Sequence, residues 1–387
     1  MTEDTETIKG FRDFSGEEAE KRQAIIDLLT KKYKLYGFEP AETPIIESQK
    51  FVQGNNPNDE AVSDIFKLQD KGKRKLALRY EFTFQLKRLA KNQKLPYKRF
   101  QIGPVFRDEP VSSNRFRQFI QADVDIIGST VKEEAEVLAL AASVVKELGI
   151  PPKIEFNNRK LMNEILEEQG IQKKDRKEVI KQIDKLTKIE EKEVKQNLKK
   201  YKAEKVVDIF KKPRFFFKKY KAYEEIEELE KYSKMYGLKI NFVPSLARGL
   251  SYYNGSIFEI KTPEERGSIA GGGSYMVNGI QSTGLAFGLK RLSKFAKVNL
   301  DKKQAIIISI GQDKEAITLS EKLREKDIPC FVMYKISNAL EYANSKQIPY
   351  VLFIGKEEVS KKKFKLKDMK TGKETFVNEK EIEKKLI

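Results

Sequence analysis

Three short apolar runs, separated by charged turns, constrain the fold of this chain more strongly than any other feature. The runs are LALRY, RFQIGPVFR and FIQADVDIIG, and they lie between Lys73 and Gly128. Runs of this length with polar connections are typical of antiparallel strands. The segment therefore predicts an antiparallel sheet as the centre of the fold.

Helical patterns flank this predicted sheet. Apolar residues recur at helical spacing from Ile25 to Tyr36, and Ser15 followed by Glu18 has the form of a capping box. The segment GFEPAETPIIES comes next, and Pro44 within it favours an edge or interface strand over a central one. A second helix is predicted from Lys132 to Leu148, where a glycine and a Pro-Pro pair end it.

The second half of the chain changes its pattern three times. From about Arg159 to Tyr236, Lys and Glu dominate at helical spacing, which predicts a helical insertion whose charged face is either RNA-facing or merely solvated. Strand-like KINFVPSL and SIFEI follow, then a glycine run and a predicted helix through LAFGLKRL. After Asn299, AIIISI, CFVMY and YVLFIG alternate with helical segments, which predicts a small parallel-sheet domain.

The excess of positive charge suggests a polyanionic partner. Lys and Arg number 76 and Asp and Glu 58, which gives a net charge of +18 at neutral pH. Such an excess favours binding to nucleic acid through the release of counterions. A surface rich in Lys and Glu is also typical of proteins that work at high temperature, so charge alone leaves both interpretations open.

Two residue types that carry much enzyme chemistry are nearly missing. The chain has no histidine, which excludes imidazole bases and imidazole metal ligands, and Cys330 is its only cysteine. One chain can therefore build neither a disulfide framework nor a thiolate zinc cluster. Catalysis would use Arg, Lys, carboxylates, backbone donors or a metal held by oxygen, which suits phosphoryl and nucleotidyl transfer.

A cytoplasmic location is expected. The single cysteine fits a reducing compartment. The opening segment MTEDTETIKGFRDFSG lacks the apolar core of a signal peptide, and no stretch approaches the roughly 20 apolar residues that span a membrane. We therefore expect a soluble protein with no membrane partner.

The first candidate site is FRDEPVSSNRFRQFIQADVD. Arg107 and Glu109 end one predicted strand, and a polar loop carrying Arg115 and Arg117 leads to the next. On that next strand Gln121, Asp123 and Asp125 alternate, so their side chains share one face of the sheet. A face with an amide and two carboxylates is either solvent-exposed or part of a polar pocket.

Further arginines stand where a structural role is hard to assign. They are Arg79 beside Glu81, Arg248 before a glycine, and Arg291 after another. Any one of them alone is more often a surface residue. Several guanidinium groups converging on one sheet would suit a triphosphate, because the planar fork matches phosphate oxygens.

Several segments resemble the motifs of the class II aminoacyl-tRNA synthetases. GFEPAETPIIES is similar to motif 1, FQIGPVFRDE with RFRQF to motif 2 and TGLAFGLKRL to motif 3, in the family order. LARGLSYYNGSIFE is similar to the RGLDYY signature of the histidyl-tRNA synthetases, SIAGGGSY to their second signature, LRYEFT to their ammonium-binding loop, and EFNNRKLMNEIL to the entry of their insertion domain. The resemblance runs from Gly10 to about Met369. On these motifs the chain is identified as a histidine-free member of the histidyl-tRNA synthetase family.

The resemblance implies a fold, a domain organisation and a reaction. The implied fold class is α+β: a mixed, mostly antiparallel sheet with flanking helices, a helical insertion and a C-terminal α/β anticodon-binding domain. The implied domains are residues 1–158 and 237–298 for the two parts of the catalytic core, 159–236 for the insertion and 303–387 for the anticodon-binding domain. The implied reaction activates L-histidine with ATP and transfers it to the 3′ end of tRNA(His), with Mg²⁺ held mainly by ATP. A homodimer formed through the motif 1-like segment is also implied.

The family's residue roles carry over to matching positions. Arg107 would hold the α-phosphate of ATP, and Arg248 would stabilise the charge that develops there during attack by the carboxylate. Glu109 would contact the adenine or ribose side of ATP, while Arg115 and Arg291 would hold the β- and γ-phosphates. The implied histidine-binding residues are Glu81, Thr83 and Gln121 for the ammonium group, Asp125 and Tyr253 for the two imidazole nitrogens, Tyr275 to close the pocket, and also Arg248 and Tyr252.

Physical chemistry supports this assignment. A neutral imidazole offers one donor and one acceptor, and a carboxylate opposite a phenol satisfies both. A pocket of this kind rejects analogues that lack the polar atoms by roughly 10⁴, so no editing domain is expected. The nucleophile of the first step is already an ionised carboxylate, and the step needs no general base.

The chain departs from the family pattern at several positions. The imidazole-binding Glu is Asp125, one methylene shorter, so the pocket would have to close slightly or use a water. The usual Asp after RGL is Ser251, the GGRYDG pattern has Ser274 and Met276 in place of Arg and Asp, the usual FHQ is FIQ with Ile120, and Lys290 stands in motif 3 where Glu is common.

Three other interpretations compete with this one. A catalytically silent synthetase-like regulatory subunit of histidine biosynthesis would lack the catalytic arginine and the C-terminal domain, whereas Arg248 and such a domain are present in this sequence. A class II synthetase for proline, threonine or glycine is disfavoured by LARGLSYY. A non-enzymatic RNA-binding protein on the same sheet is disfavoured by the retained arginines.

Overall fold

The chain forms two compact units, each with its own sheet and core. The computed structural model describes residues 5–54, 64–112, 115–187, 189–248, 252–264, 267–300 and 304–386. The first unit is Met1–Val298 and the second is Asn299–Ile387.

The first unit contains a large sheet, a small sheet and the surrounding helices. Its described strands are β1 (Glu39–Pro40), β2 (Ile46–Ser48), β3 (Lys67–Gln69), β4 (Lys75–Leu78), β5 (Tyr97–Phe106), β6 (Gln118–Ile127), β7 (Lys153–Asn158), β8 (Ile240–Phe242), β9 (Tyr253–Lys261), β10 (Ala270–Val277) and β11 (Ile280–Gly288). Its described α-helices are α1 (Gly16–Leu35), α2 (Gln49–Gln53), α3 (Leu86–Leu89), α4 (Val131–Glu147), α5 (Arg159–Glu168), α6 (Lys173–Asp184), α7 (Glu191–Leu198), α8 (Glu204–Ile209), α9 (Tyr223–Met235) and α10 (Leu289–Phe295).

The large sheet is mostly antiparallel, which confirms the predicted fold class. Its eight described strands lie in the order β1-β5-β6-β11-β10-β9-β7-β8. The pairs β1–β5 and β7–β8 at the two ends are parallel, and the pairs between them are antiparallel. The segment around Pro40 forms the edge strand β1, as its prolines predicted. The small sheet has the order β2-β4-β3.

Helix α4 anchors the core beneath the large sheet. It packs against α1, α9 and β11, and most of its apolar side chains are buried. A capping box fixes its start: Lys132 N donates to the Thr130 hydroxyl, and Thr130 N donates to the Glu133 carboxylate. The capping box therefore stabilises the N-terminal end of the helix on which the sheet packs.

The capping box predicted for α1 is wrong. Ser15 is extended and precedes the helix, but its side chain makes no capping hydrogen bond. The Glu18 carboxylate instead accepts from Arg12 at 2.7 Å, because a guanidinium offers a charged donor that the backbone cannot match. The end of the helix before Gly37 is as predicted.

The segment from Arg159 to Met235 is helical, as predicted. It comprises α5 to α9 and three short 3-10 helices, Lys185–Thr187, Lys199–Tyr201 and Arg214–Lys219. It bears a core of its own aliphatic and aromatic residues, which is continuous with the core of the large sheet.

The helix predicted through LAFGLKRL begins later than expected. Leu285–Gly288 belong to β11, and the glycine run lies in β10, between β9 and β11. A continuous apolar run fits a buried strand as well as a helix, and pairing on both sides decides in favour of the strand. Gly272 permits this pairing, because an added Cβ would lie 2.0 Å from the carbonyl oxygen of Gly284.

The second unit is a mixed sheet covered by helices. Its described elements are β12 (Ala305–Ser309), α11 (Asp313–Arg324), β13 (Cys330–Met333), α12 (Ile336–Ser345), β14 (Tyr350–Ile354), α13 (Lys356–Lys361), β15 (Phe364–Asp368), β16 (Glu374–Val377) and α14 (Glu379–Leu386). β13, β12 and β14 are parallel, but β15 and β16 add an antiparallel edge that the sequence did not predict. Within the described parts of both units, no helix combines the length and apolarity needed to cross a membrane.

Candidate active site

A cavity of about 830 Å³ lies over β6, β10 and β11 in the first unit. Every residue to which the family resemblance gave a catalytic or binding role lines it. These residues are Glu81, Thr83, Arg107, Glu109, Arg115, Gln121, Asp125, Arg248, Tyr252, Tyr253, Tyr275 and Arg291. Arg107, Arg248 and Arg291, which come from distant parts of the chain, thus face one shared space.

Strand β6 supplies the polar floor of this cavity. Gln121, Asp123 and Asp125 alternate along it and are all buried, with 6%, 4% and 3% of their surface exposed. Gly284 of β11 lies opposite Asp125, and an added Cβ there would come within 2.1 Å of the carboxylate. The polar-pocket interpretation of this sheet face is therefore the one that the structure supports.

Asp125 is held from two sides. Arg99 lies directly opposite it on β5, and Arg99 Nη2 is 2.7 Å from Asp125 Oδ2. The hydroxyl of Tyr275 donates to Asp125 Oδ1. Burial raises the pKa of Asp125, while the Arg99 guanidinium and the Tyr275 hydroxyl lower it. Tyr275 therefore contacts the Asp125 carboxylate directly, although this side chain is one methylene shorter than the family's glutamate.

Asp123 is a second buried carboxylate on the same floor. Gln121 Nε2 donates to both of its oxygens at 2.9 Å. Burial, and next the charge of Asp125, raise the pKa of Asp123 well above its usual value. The charge of one carboxylate therefore disfavours ionisation of the other.

Three tyrosines form the wall beside this floor. Tyr252 lies 4.8 Å from Tyr253 and 5.6 Å from Tyr275 between ring centroids. The Tyr252 hydroxyl also donates to Glu81 Oε2 at 3.4 Å. Glu81 is only 5% exposed, so its carboxylate and the carboxylates of β6 make this end of the cavity strongly anionic.

Arg248 lies beside the tyrosine wall, with its Cζ 5.7 Å from the centre of the Tyr253 ring. Its Nη1 is 3.2 Å from Glu259 Oε1, and its backbone carbonyl accepts from Arg159 Nη2 at 2.9 Å. Burial lowers the pKa of Arg159 to about 10. The guanidinium of Arg248 fits only because residue 271 is glycine: an added Cβ would lie 1.8 Å from Nη1.

The cationic end of the cavity lies at the ends of β5 and β11. Glu109 lies between two arginines, with Arg107 Nη1 at 3.8 Å and Arg115 Nη1 at 3.5 Å. Arg107 Nε donates to the Tyr80 carbonyl at 3.2 Å, which orients its guanidinium, and Arg291 donates to the Ser268 carbonyl. The arginines are thus oriented by backbone carbonyls, while Arg115 remains largely exposed.

The structure gives Arg79 a structural role and shows the surroundings of several positions where the chain departs from the family pattern. Arg79 has a structural role: it is 4% exposed and donates to the Thr43 carbonyl at 2.6 Å and the Pro104 carbonyl at 2.9 Å. Lys290, the departure in motif 3, places its ammonium 3.3 Å from the ring centre of Phe116. Ser274 donates to the buried Glu134, and Met276 is 47% exposed. Ser251 lies outside the described residues.

The sequence did not single out several residues that shape the site. They are Arg99, Glu259, Phe116 and Phe119, together with Lys181, Asp184 and Lys185 from the helical segment. Asp123 was placed on the predicted polar face of the sheet but was given no role. Arg99 and Glu259 are recognised only through their partners, Asp125 and Arg248. Within the described ranges no group of three or more His, Cys, Asp or Glu side chains is placed to hold a metal ion.

Comparison with known proteins shows where these features recur. Residues 10–292 match the family model Histidyl-tRNA synthetase, and residues 304–387 match the model Anticodon binding domain. A histidine–tRNA ligase 1 of Bacillus cereus is 32% identical, covering 96% of this chain and 96% of the relative. A histidine–tRNA ligase of Christiangramia forsetii is 31% identical, covering 95% and 96%.

Solved structures share the fold. A histidyl-tRNA synthetase from Nostoc sp. PCC 7120 has a TM-score of 0.84 at 24% identity, covering 98% of this chain and 99% of that one. An ATP phosphoribosyltransferase regulatory subunit/histidyl-tRNA synthetase from Bacillus halodurans has a TM-score of 0.75 at 20% identity, covering 88% and 96%. At these identities the likeness establishes the architecture alone.

Proposed function

Because this chain belongs to the histidyl-tRNA synthetase family, we propose that it is a histidine–tRNA ligase, which activates L-histidine with ATP and transfers it to the 3′ end of tRNA(His). The observation that carries this proposal is the single cavity that joins an anionic, tyrosine-lined end to an arginine-rich end. The first end suits an amino acid with an ammonium group and an imidazole, and the second suits a triphosphate.

In the activation step, a carboxylate oxygen of histidine attacks the α-phosphorus of ATP, and the bond to the bridging oxygen breaks. Pyrophosphate leaves and histidyl-adenylate forms. Arg107 and Arg248 stabilise the charge that develops on the α-phosphate, and Arg115 and Arg291 hold the β- and γ-phosphates. Fixed cations in a water-poor site are effective here, because they need no reorganisation as charge builds up.

Recognition of the substrate falls to the anionic end. Glu81, Thr83 and Gln121 receive the ammonium group. Asp125 and Tyr253 bind the two imidazole nitrogens, while Tyr275 closes the pocket and Tyr252 supports Glu81. Buried polar groups left unpaired by a wrong substrate would be costly, and this supplies the selectivity.

The nucleotide and its metal lie at the cationic end. Glu109 contacts the adenine or ribose side of ATP. Mg²⁺ is proposed to arrive with ATP and to be held mainly by phosphate oxygens, with the charge of the triphosphate as its chief attraction. Glu109, already flanked by two arginines, fits a nucleotide contact better than a place in a protein cage for the metal.

In the transfer step, the terminal ribose hydroxyl of tRNA attacks the carbonyl carbon of the adenylate, and AMP leaves. The net charge of +18 favours a polyanionic partner. The match of residues 304–387 to an anticodon-binding model supports a role of the second unit in recognising the anticodon. For this function we propose the organisation predicted from the sequence, in which an insertion at 159–236 separates the two parts of the catalytic core.

We also propose a cytoplasmic homodimer. The motif 1-like segment exposes Ile45 and Ile46, which are 41% and 50% exposed, and apolar side chains on an edge segment are typical of an interface between subunits. Light scattering on the purified chain tests this: a monomer at micromolar concentration would contradict it.

The function is tested by ATP–pyrophosphate exchange with each of the twenty amino acids. We expect exchange with histidine alone, and charging of tRNA(His) in a second assay. A silent regulatory subunit would give no exchange, and another class II synthetase would exchange a different amino acid. Either result would overturn the proposal.

A further inference from the structure

Arg99 is fully buried but takes no part in the chemistry proposed above. It is 0% exposed, and its Nη2 lies 2.7 Å from Asp125 Oδ2 and 3.0 Å from the carbonyl oxygen of Phe82. Removing a guanidinium from water is unfavourable unless its charge is paired. The side chain therefore has a specific partner, and that partner is Asp125.

Arg99 can influence the cavity only through Asp125. It does not line the cavity, whereas Asp125 does. The two residues are directly opposite on β5 and β6, so their side chains share one face of the sheet. With Oδ2 beside Arg99 and Oδ1 accepting from Tyr275, the carboxylate has only one orientation available.

We propose that Arg99 is a positioning residue for histidine recognition, which aims the Asp125 carboxylate at the imidazole and keeps it negatively charged. The inference rests on the function proposed above. It explains how an aspartate can replace the family's glutamate in binding the imidazole. The side chain of Asp125 is one methylene shorter, but the Arg99 guanidinium fixes the position of its carboxylate.

The surroundings of Asp125 require such a cation. The groups that face it are Asp123 on its own strand, Tyr275 on β10, Tyr33 on α1 and Arg99 on β5, and Glu81 adds a further carboxylate near Asp123. Of these five described groups, two are carboxylates, two are tyrosine hydroxyls, and Arg99 alone is a base. Without Arg99, burial and the neighbouring carboxylates would both favour the protonated form of Asp125.

The test uses ATP–pyrophosphate exchange at several pH values, with the Michaelis constants for histidine and ATP measured separately. Arg99→Met alone would leave two buried carboxylates without a cation and could fail to fold. The main comparison is therefore Arg99→Met/Asp123→Asn against Asp123→Asn, which differ only in the guanidinium. Arg99→Lys is the conservative control, and circular dichroism checks that each variant is folded.

We expect the double variant to lose ~10- to 100-fold in kcat/KM for histidine relative to Asp123→Asn, because Asp125 loses the cation of a buried ion pair. The Michaelis constant for ATP should stay within about twofold. The acid limb of the histidine profile should move to higher pH. Titration of the substrate imidazole is common to both enzymes and cancels in their ratio. Arg99→Lys should keep the acid limb in place, because it retains the charge.

Two results would overturn the inference. In the first, the double variant matches Asp123→Asn in both the histidine Michaelis constant and the pH profile. In the second, Arg99→Lys shifts the acid limb as far as the double variant does, which would make the role of Arg99 structural only. If the double variant does not fold, Arg99→Lys decides alone. The lysine side chain ends one bond short of Nη2, the atom that makes both contacts, so an unchanged Michaelis constant for histidine would overturn the proposal. Failure of the parent enzyme to exchange histidine would instead overturn the proposed function.

Discussion

Arg248 occupies its place because the residue facing it has no side chain. Its guanidinium lies between Glu259 and the backbone of Gly271, with its Cζ 5.7 Å from the centre of the Tyr253 ring. Such a cation is oriented before any substrate arrives, and that orientation is what makes it useful to a transition state.

Truncation of this side chain is the direct test of its role. We predict that Arg248→Ala lowers the rate of histidine activation by ~10²- to 10³-fold, the loss typical of one transition-state donor. Single-turnover adenylate formation measures it, with Arg79→Lys as a control, an arginine that contacts backbone carbonyls outside the cavity. A rate within threefold of the parent would remove Arg248 from the mechanism.

The glycine opposite Arg248 gives an independent prediction. An added Cβ at residue 271 would meet the flexible end of Arg248 rather than backbone, so Gly271→Ala should fold but displace the guanidinium. We expect a loss of activation rate approaching that of Arg248→Ala, with thermal stability little changed. Gly288→Ala is the matched control, since nothing lies within 4 Å of its added Cβ. Equal rates for both glycine variants would contradict the crowding argument.

Among single residues, the motifs predicted those site residues that lie within short, recognisable segments. The arginines, Gln121 and the tyrosines could be found because their types and spacings resemble a family pattern. Arg99 and Glu259 could not, since each matters through a partner in another segment. Strand pairing brings Asp125 to Arg99, and Arg248, which lies outside any strand, contacts Glu259. Ser274 was seen as a departure, but its partner Glu134 lies 140 positions away.

At the scale of elements, α4 carries a carboxylate into the core. Glu134 is 4% exposed, and its Oε1 accepts from Ser274 on β10. Burial raises the pKa of Glu134 to about 7, while the hydroxyls of Ser256 and Ser274 lower it. The chain has no histidine, the residue that ordinarily titrates near neutral pH. In this helix, burial gives a glutamate a pKa in that range instead.

The stability of the fold should report this titration. Glu134 has a pKa of about 7 when folded, against an ordinary value of 4.5. The folded state thus holds more protons between these two values, so stability falls as pH rises from about 4.5 to about 7 and then levels off. We predict that Glu134→Gln gains on the parent as pH increases from 5 to 8, by up to about 3 kcal/mol. Urea unfolding at each pH measures the difference.

A second variant separates titration from simple polarity. Ser274→Ala removes a donor to the ionised form, so it should move the loss of stability to higher pH. A gap between Glu134→Gln and the parent that is constant from pH 5 to 8 would show that Glu134 does not titrate in this window.

The elements themselves were predictable where one pattern had one interpretation. The strands β5 and β6 and the helix α4 are examples, because apolar alternation and helical spacing with clear ends leave little choice. The run LAFG was misassigned because its apolar residues suit a strand and a helix equally, and only pairing with β6 and β10 decides for the strand. The antiparallel edge of the second unit was missed because Phe364–Asp368 alternates with lysines and resembles a solvated segment.

For the whole molecule, the remaining question is what the positive charge does. Lys and Arg exceed Asp and Glu by 76 − 58 = 18, yet many described lysines are paired with carboxylates at the surface. Paired charges of both signs would suit a thermally resistant surface. An unpaired excess would suit RNA. These alternatives differ in how binding responds to salt.

We predict that the affinity for tRNA(His) falls at least tenfold between about 50 and 200 mM salt, because each neutralised phosphate releases counterions and log K falls linearly with log salt. Filter binding or fluorescence anisotropy gives the slope, and hence the number of phosphate contacts. The Michaelis constant for histidine, a small zwitterion, serves as the control and should change little. A tRNA affinity that varies less than twofold over this range would mean that the excess charge is not directed at RNA, and that the Lys- and Glu-rich surface serves stability instead.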